Sequence, residues 1–229
     1  MQKILEKSTC RLYGRNQYLY FFHRHYHPSI GEENFNFFRY DFKKRIKIDS
    51  ETYLLSIFGK AARGIVSVYG DRTTLDISWG RLSDGSIITN YYQEQVFYRF
   101  DPEGHVVWKT DKLWDLNTVY SIAIQENSIW CAIPTSHTIK RYSLDTFKEE
   151  LAIGDNDYSD RKEKFDYPED VFYKNGRLYV SDMGNKRVCV VHPETGEVGN
   201  PMNFDESVWA FRIFDGRAYV RLDSGYYMV

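Results

Sequence analysis

The chain has no Cys-x-x-Cys pair and no Cys/His spacing of the kind that holds zinc. Its three cysteines, Cys10, Cys131 and Cys189, are an odd number set in or beside strand-like apolar runs. That argues for reduced thiols acting as small apolar side chains, as expected in the cytoplasm. No apolar run is long enough to span a bilayer, and Met1–Lys7 lacks the apolar core of a signal peptide, so no membrane association is expected. An excess of one charge is missing too: 30 basic and 32 acidic residues give a net charge of -2. No global field therefore draws in nucleic acid or an anionic membrane. There is no strong helix signal and no Ser/Gly/Pro-rich linker, so a single domain over 1–229 is expected. GxSxG, P-loop, dinucleotide-fingerprint, HExxH and EF-hand patterns are all absent, and no cofactor or metal is expected.

Aromatic residues are plentiful: they make up 17% of the chain, with 19 Tyr and 15 Phe, and they favour strands. The most informative stretch runs from Phe165-Asp166-Tyr167-Pro168-Glu169-Asp170-Val171 through Gly176-Arg177-Leu178-Tyr179-Val180-Ser181-Asp182 to Gly184-Asn185-Lys186-Arg187-Val188. It reads strand, tight turn, strand, tight turn, strand. Taking Gly176 as anchor, equivalent turn residues fall at Gly85, Asn127 and Gly216, each followed by an apolar strand. The spacings of 42, 49 and 40 residues (127−85, 176−127, 216−176) suit a four-stranded propeller blade of roughly 40–50 residues. Asp101-Pro102-Glu103-Gly104 and Pro193-Glu194-Thr195-Gly196 read as turns between third and fourth strands.

The order of residues over 165–191 resembles the NHL repeat. The resemblance implies an all-β fold, a single small β-propeller of about five four-stranded blades, one of them irregular. Arg11–Gly14, Gln17–Phe22, Asn34–Tyr40 and Lys44–Ile48 are candidate strands of a first blade, with a long connection from His23 to Glu33. Tyr53–Phe58 and Gly64–Tyr69 read as two further strands, either a reduced blade or an insertion. The last blade shows only three strands, so Gln2–Glu6 is expected to supply its fourth and close the ring, which otherwise exposes an edge. In NHL repeats, the residues matching Asp182, Asn185 and Arg187 mostly fix the turn and bridge strands.

The resemblance also places the Pro168-Glu169-Asp170 position where the innermost strand enters the central channel. Carried across by the turn anchors, Glu169 corresponds to Ser78, Tyr120 and Trp209, and Asp170 to Trp79, Ser121 and Ala210. Trp79, Tyr120 and Trp209 beside Glu169 and Asp170 are the expected binding residues, because aromatics with a few fixed polar groups make binding sites. Packing between blades is the alternative reading of the same rings. Tyr158 and Arg161, in the polar connection 154–164, join the candidates as exposed loop residues. His23, His25 and His27 alternate, so in a strand they share one face; three ligands from one strand rarely converge on a metal, and a solvated loop is the competing reading. Phe38–Lys47 interleaves cations with aromatics, as a single-strand nucleic-acid surface does, and equally as a strand with a solvated charged face does.

These features rank a non-catalytic protein-interaction module first, a monomer binding a protein partner through its loops and channel mouth, of inhibitor or immunity type. A propeller lyase or hydrolase is the alternative, since relatives of the NHL group often hold a metal in the channel on His or carboxylate ligands. RNA binding ranks last.

Overall fold

The computed structural model describes residues 1–6, 9–27, 29, 32–111, 118–155 and 164–229; the side chains of residues 9, 10, 26 and 27 fall outside that description. Short β-branched and aromatic runs, punctuated by turn residues, form five antiparallel sheets of four strands, arranged in a ring as a five-bladed β-propeller. Blade 1 comprises β2 (Thr9–Arg15), β3 (Tyr18–His27), β4 (Glu32–Tyr40) and β5 (Arg45–Ile48). Blade 2 comprises β6 (Ser78–Arg81), β7 (Ile87–Tyr91), β8 (Val96–Phe100) and β9 (Val106–Lys109). Blade 3 comprises β10 (Ser121–Gln125), β11 (Ser128–Ile133), β12 (Thr138–Ser143) and β13 (Glu149–Ile153). Blade 4 comprises β14 (Pro168–Lys174), β15 (Arg177–Asp182), β16 (Arg187–Val191) and β17 (Met202–Asn203).

Blade 5 is assembled from both ends of the chain. β18 (Val208–Phe214), β19 (Arg217–Leu222) and β20 (Gly225–Met228) are completed by β1 (Gln2–Glu6), which pairs antiparallel with β20. The amino-terminal strand therefore closes the ring. Leu5 anchors it, 2% exposed, in a cluster with Leu12, Leu19, Phe21, Tyr219 and Tyr226 that fills the seam between blades 5 and 1.

The hairpins between first and second strands explain the turn anchors. In blade 4, Asn175 and Gly176 both take positive φ, 52° and 73°, and join Lys174 to Arg177 in a two-residue turn. That is the geometry a right-twisted hairpin favours, and glycine adopts it without steric cost. Blades 1, 3 and 5 use two-residue turns as well, at 16–17, 126–127 and 215–216. Blade 2 uses five residues, 82–86, between Arg81 and Ile87.

Two expectations are corrected here. Tyr53–Phe58 and Gly64–Tyr69 are not strands: the segment folds as α1 (Ser50–Phe58), a 3-10 turn at Gly59–Ala61, α2 (Ala62–Tyr69) and a short α3 (Asp71–Thr74). Asp49 caps α1, its carboxylate accepting the Thr52 amide at 2.8 Å. Leu54, Ile57, Phe58, Ala61, Ala62, Ile65 and Tyr69 recur every three or four residues and bury one face. That face packs between blades 1 and 2, against Tyr20, Phe22, Phe37, Ile87 and Phe100. Gly64 lets α2 lie on the β8–β9 hairpin, since a Cβ there would sit 1.8 Å from the Gly104 carbonyl oxygen. The second correction concerns His23 to Glu33: β3 and β4 continue to pair as far as His27 and Glu32, so most of that stretch is hairpin.

Candidate functional site

The inner strands β2, β6, β10, β14 and β18 do not hydrogen-bond to one another as a sheet, so their amides need other acceptors. Side chains supply them. Ser78 Oγ accepts the Ile122 amide at 2.8 Å, Ser121 Oγ accepts that of Val171 at 3.3 Å, and Asp170 Oδ2 accepts that of Phe211 at 3.3 Å. Ser78, Ser121 and Asp170 therefore hold one equivalent position on consecutive blades. The turn anchors had equated Trp79 with Asp170, one residue out, because the longer 82–86 turn shifts the count.

The channel is divided at Leu12, Tyr13 and Arg212, which line both halves. The half at the start of the inner strands is a cavity of about 260 Å³, lined by Tyr92, Tyr120, Glu169, Asp170, Trp209, Arg221 and Tyr226 among others. Of the five residues expected at the mouth, Tyr120, Glu169, Asp170 and Trp209 share this cavity. Trp79 lies in the opposite half, of about 350 Å³, packed between a tilted Tyr13 ring at 5.5 Å and an edge-on Phe58 ring at 5.3 Å. Tyr158 and Arg161 lie outside the described residues.

Most charges in the cavity are committed to one another. Arg212 forks onto the Asp170 carboxylate, with Nη2 donating to Oδ1 at 3.1 Å and Nη1 to Oδ2, and it also donates to the Phe211 carbonyl at 2.7 Å. Burial acts most strongly on Arg212 and lowers its pKa, but the Asp170 charge and hydrogen bonds, with Tyr226 and Tyr13, carry it above the ordinary value. Arg24 Nη2 donates to both Asp76 oxygens, at 2.7 and 2.8 Å. Arg11 donates to the Asp76 carbonyl at 2.7 Å and to the Ile77 carbonyl.

Two groups are left over. Arg221 lies over the Trp209 ring, 5.9 Å from its centroid, with no hydrogen-bond or ion-pair partner among the described residues. Trp209 is itself fixed by donating Nε1–H to Asp223 at 2.8 Å. Glu169 is half-buried with no hydrogen-bonded partner among the described residues. Burial first, and the neighbouring Asp170 charge second, push its carboxyl up to about 7, against the opposing pull of Arg221. Tyr120 is raised by burial, Glu169 and Tyr92, and Tyr226 is pushed up to about 12 by burial. Tyr92 and Tyr120, each 38% exposed with rings 5.6 Å apart, form the rim. The cavity thus combines a carboxyl that titrates near neutrality, a guanidinium with no hydrogen-bond or ion-pair partner among the described residues, and an aromatic lip.

Sequence reasoning missed Arg221 and Tyr92. Arg221 follows the buried pair Tyr219-Val220 on a second strand, with no anchor to mark it. Tyr92 was legible in principle: an aromatic residue opening a polar turn, Gln93-Glu94-Gln95, is more often presented than packed.

The remaining candidates are placed as follows. His23 is buried against Phe21 and Phe38 at 5.5 and 5.2 Å, and burial, Arg45 and His25 lower its pKa. His25 is exposed, 6.1 Å away ring to ring; the side chain of His27 is not described. Among the described residues no three His, Cys, Asp or Glu side chains come close enough to hold a metal, and Asp170 is taken up by Arg212 and Ser121. The channel residues therefore do not fit the metal that the NHL resemblance implies for an enzyme. Asp182, fully buried, accepts from the Asp166 amide at 2.6 Å, Asn185 at 3.0 Å and Arg187 at 2.7 Å, bridging β15, β16 and the preceding loop. Cys131 and Cys189 are buried free thiols; burial raises both, Cys189 to about 12. On the outermost strand β5, Arg45 and Lys47 are exposed and alternate with half-buried Ile46 and Ile48, while Arg39 of β4 stacks on Tyr18 at 4.5 Å. No described helix is long and apolar enough to cross a membrane.

No family model and no curated protein matches the chain. Solved propellers do. A streptogramin B lyase structure aligns with a TM-score of 0.55 at 9% identity, over 98% of this chain and 83% of that one. The WD40 propeller domain of Doa1 gives 0.51 at 11%, over 96% and 62%. Virginiamycin B lyase from Staphylococcus aureus gives 0.50 at 9%, over 96% and 64%. The chain thus spans less than two thirds of the latter two. At these identities the likeness establishes a β-propeller fold, one shared by interaction domains and enzymes alike.

Proposed function

We propose that the protein is a recognition module that holds a protein partner at the mouth of its channel, without catalysing a reaction. The observation that carries this reading is the lip of Tyr92, Tyr120 and Trp209 around Arg221, which has no hydrogen-bond or ion-pair partner among the described residues. Tyr, Trp and Arg are the residues that dominate binding energy at protein interfaces. Trp209 is held by Asp223 before any partner arrives, which lowers the ordering cost of binding. The WD40 neighbour is consistent with this use of a propeller, and the Asp182–Asn185–Arg187 cluster with an NHL-like repeat. The test is affinity capture from lysate of the native cells with the wild-type protein and a Tyr120→Ala/Trp209→Ala variant. A stoichiometric protein held by the wild type and lost by the folded variant is expected. Equal retention by both contradicts the assignment.

A second reading is favoured by one observation, the Glu169 carboxyl titrating near 7 in a cleft, where general acids and bases are found. In that reading the protein is a lyase or hydrolase with Glu169 moving the proton. Turnover of any substrate that disappears in Glu169→Gln, with binding retained, decides for it.

A further inference from the structure

We propose that the channel-mouth cavity takes a carboxylate group of the partner, seated between the guanidinium of Arg221 and the carboxyl of Glu169, with Tyr120 and Trp209 covering the rest of the residue that bears it. This inference rests on the reading of the mouth as a recognition site and names the chemistry recognised there.

The charges argue for an anion. Four guanidiniums (Arg11, Arg24, Arg212, Arg221) and three carboxyls (Asp76, Asp170, Glu169) line the cavity, an excess of one positive charge (4 − 3) even with Glu169 ionised. Two pairs are closed internally, Arg24 with Asp76 and Arg212 with Asp170, and Arg11 is committed to backbone carbonyls. Of the four, Arg221 is the one with no hydrogen bond or ion pair to a protein acceptor among the described residues. A half-buried guanidinium makes charge-assisted hydrogen bonds to a carboxylate that are stronger than those to a neutral acceptor. A lysine or arginine entering the same aromatic lip meets this net positive charge and the guanidinium of Arg221.

The anion is a monoanion. Arg24 and Arg212 are closed in ion pairs and Arg11 is committed to carbonyls, so the guanidinium of Arg221 answers one negative charge and the second charge of a phosphate dianion finds no further uncommitted cation among the described residues that line the cavity. Glu169 fits a single carboxylate because its protonated form donates an O–H···O⁻ bond to it. The charged groups acting on Glu169 are Asp170 on its own strand and Arg221 from β19, with Tyr120 beside it on the lip; Trp209 and the buried Tyr226 line the same cavity. Burial and Asp170 keep the proton on Glu169 up to about pH 7, so carboxylate binding is coupled to proton retention there. A carboxylate can come from a chain terminus or from an Asp or Glu side chain, and the probes below separate the two.

The test is a titration followed by amide NMR with N-acetylphenylalanine, its amide N-acetylphenylalaninamide, and N-acetylaspartate α-methylamide. One or both carboxylates should bind with a Kd on the order of 1 mM, about tenfold or more tighter than the neutral amide. A terminal source predicts the phenylalanine derivative as the tighter of the two, a side-chain source the aspartate derivative. Arg221→Gln should lose about tenfold. Wild-type affinity should fall as pH rises through about 7, whereas Glu169→Gln, which folds with the same shape and keeps a donor, should bind without that fall. Equal binding of acid and amide, binding unchanged in Arg221→Gln, or no carboxylate binding at about 10 mM overturns the proposal. A partner that Arg221→Gln captures normally but Tyr120→Ala/Trp209→Ala does not removes the carboxylate and leaves the recognition site; a partner held equally by the wild type and both variants removes both.

Discussion

Ser121 Oγ donates to Asp170 Oδ1 at 2.8 Å while accepting the Val171 amide at 3.3 Å, so one hydroxyl ties blade 3 to blade 4. Asp170 passes the tie to blade 5 through the Phe211 amide and Arg212, and Ser78 makes the equivalent bond from blade 2 to blade 3. Three of the five seams, from blade 2 to blade 5, are thus joined by a relay of side-chain acceptors at one repeated position. The same Asp170 forms the floor of the candidate site, so the relay that joins the blades also fixes the cavity's shape.

Asp170→Ala removes the partner of Arg212 and the acceptor of the Phe211 amide together. Breaking a buried pair from one side leaves an uncompensated charge, and a loss of roughly 3–5 kcal/mol is expected in urea unfolding. Ser121→Ala should cost about 1 kcal/mol. A loss for Asp170→Ala no greater than that for Ser121→Ala contradicts its place in the relay.

Removing residues 1–6 strips β1 from β20 and uncovers the edge of blade 5. The shortened protein should melt lower and associate in a concentration-dependent way, as unpaired edges do. Leu5→Ala, in the full chain, should cost about 2–5 kcal/mol. Unchanged melting of the shortened protein contradicts closure by this strand.

Gly64→Ala tests the seating of the helices. In a free helix the change gains about 1 kcal/mol. Here the new Cβ meets the Gly104 carbonyl oxygen at 1.8 Å, and overpacking costs about 1–3 kcal/mol. Net destabilisation by thermal or urea unfolding is expected; a stabilised variant means that α2 does not lie on the β8–β9 hairpin.

Glu169 makes stability depend on pH. Its folded-state pKa, about 7, stands above that of an ordinary carboxyl, so the folded state holds the proton more tightly than the unfolded chain. Its contribution is fully present below the unfolded carboxyl range, about pH 4.3, and is lost as pH rises through about 7. Glu169→Gln should therefore match the wild type at low pH and melt higher than it above neutrality, by about 2–4 °C for each kcal/mol recovered. Melting curves that stay parallel across this range contradict a carboxyl titrating near 7.

The blades were legible because hairpin chemistry is local: Asn127, Gly176 and Gly216 announce two-residue turns, and the strands beside them alternate or run apolar. The closing strand was legible by elimination, from a last blade one strand short. The helices were not read because Tyr53–Phe58 and Gly64–Tyr69 are rich in aromatic and β-branched residues, whose strand preference hid a three-and-four spacing from Leu54 to Tyr69. Their helicity comes from packing against two blades rather than from propensity. Tyr120, Glu169, Asp170 and Trp209 could be placed together because they start inner strands at a fixed distance from a two-residue turn. Trp79 slipped because the turn of blade 2 is longer. Arg221 and the Arg212–Asp170 pair arise between blades, and no local pattern carries a contact 42 residues long.

A partner seated on the lip of the channel is within reach of a photo-crosslinking side chain placed there. A benzophenone side chain in place of Tyr92 lies on the lip, and one in place of Leu55, exposed on α1, lies away from it. With the captured partner present, a covalent adduct from position 92 and none from position 55 is predicted. An adduct from position 55 with none from position 92 contradicts it.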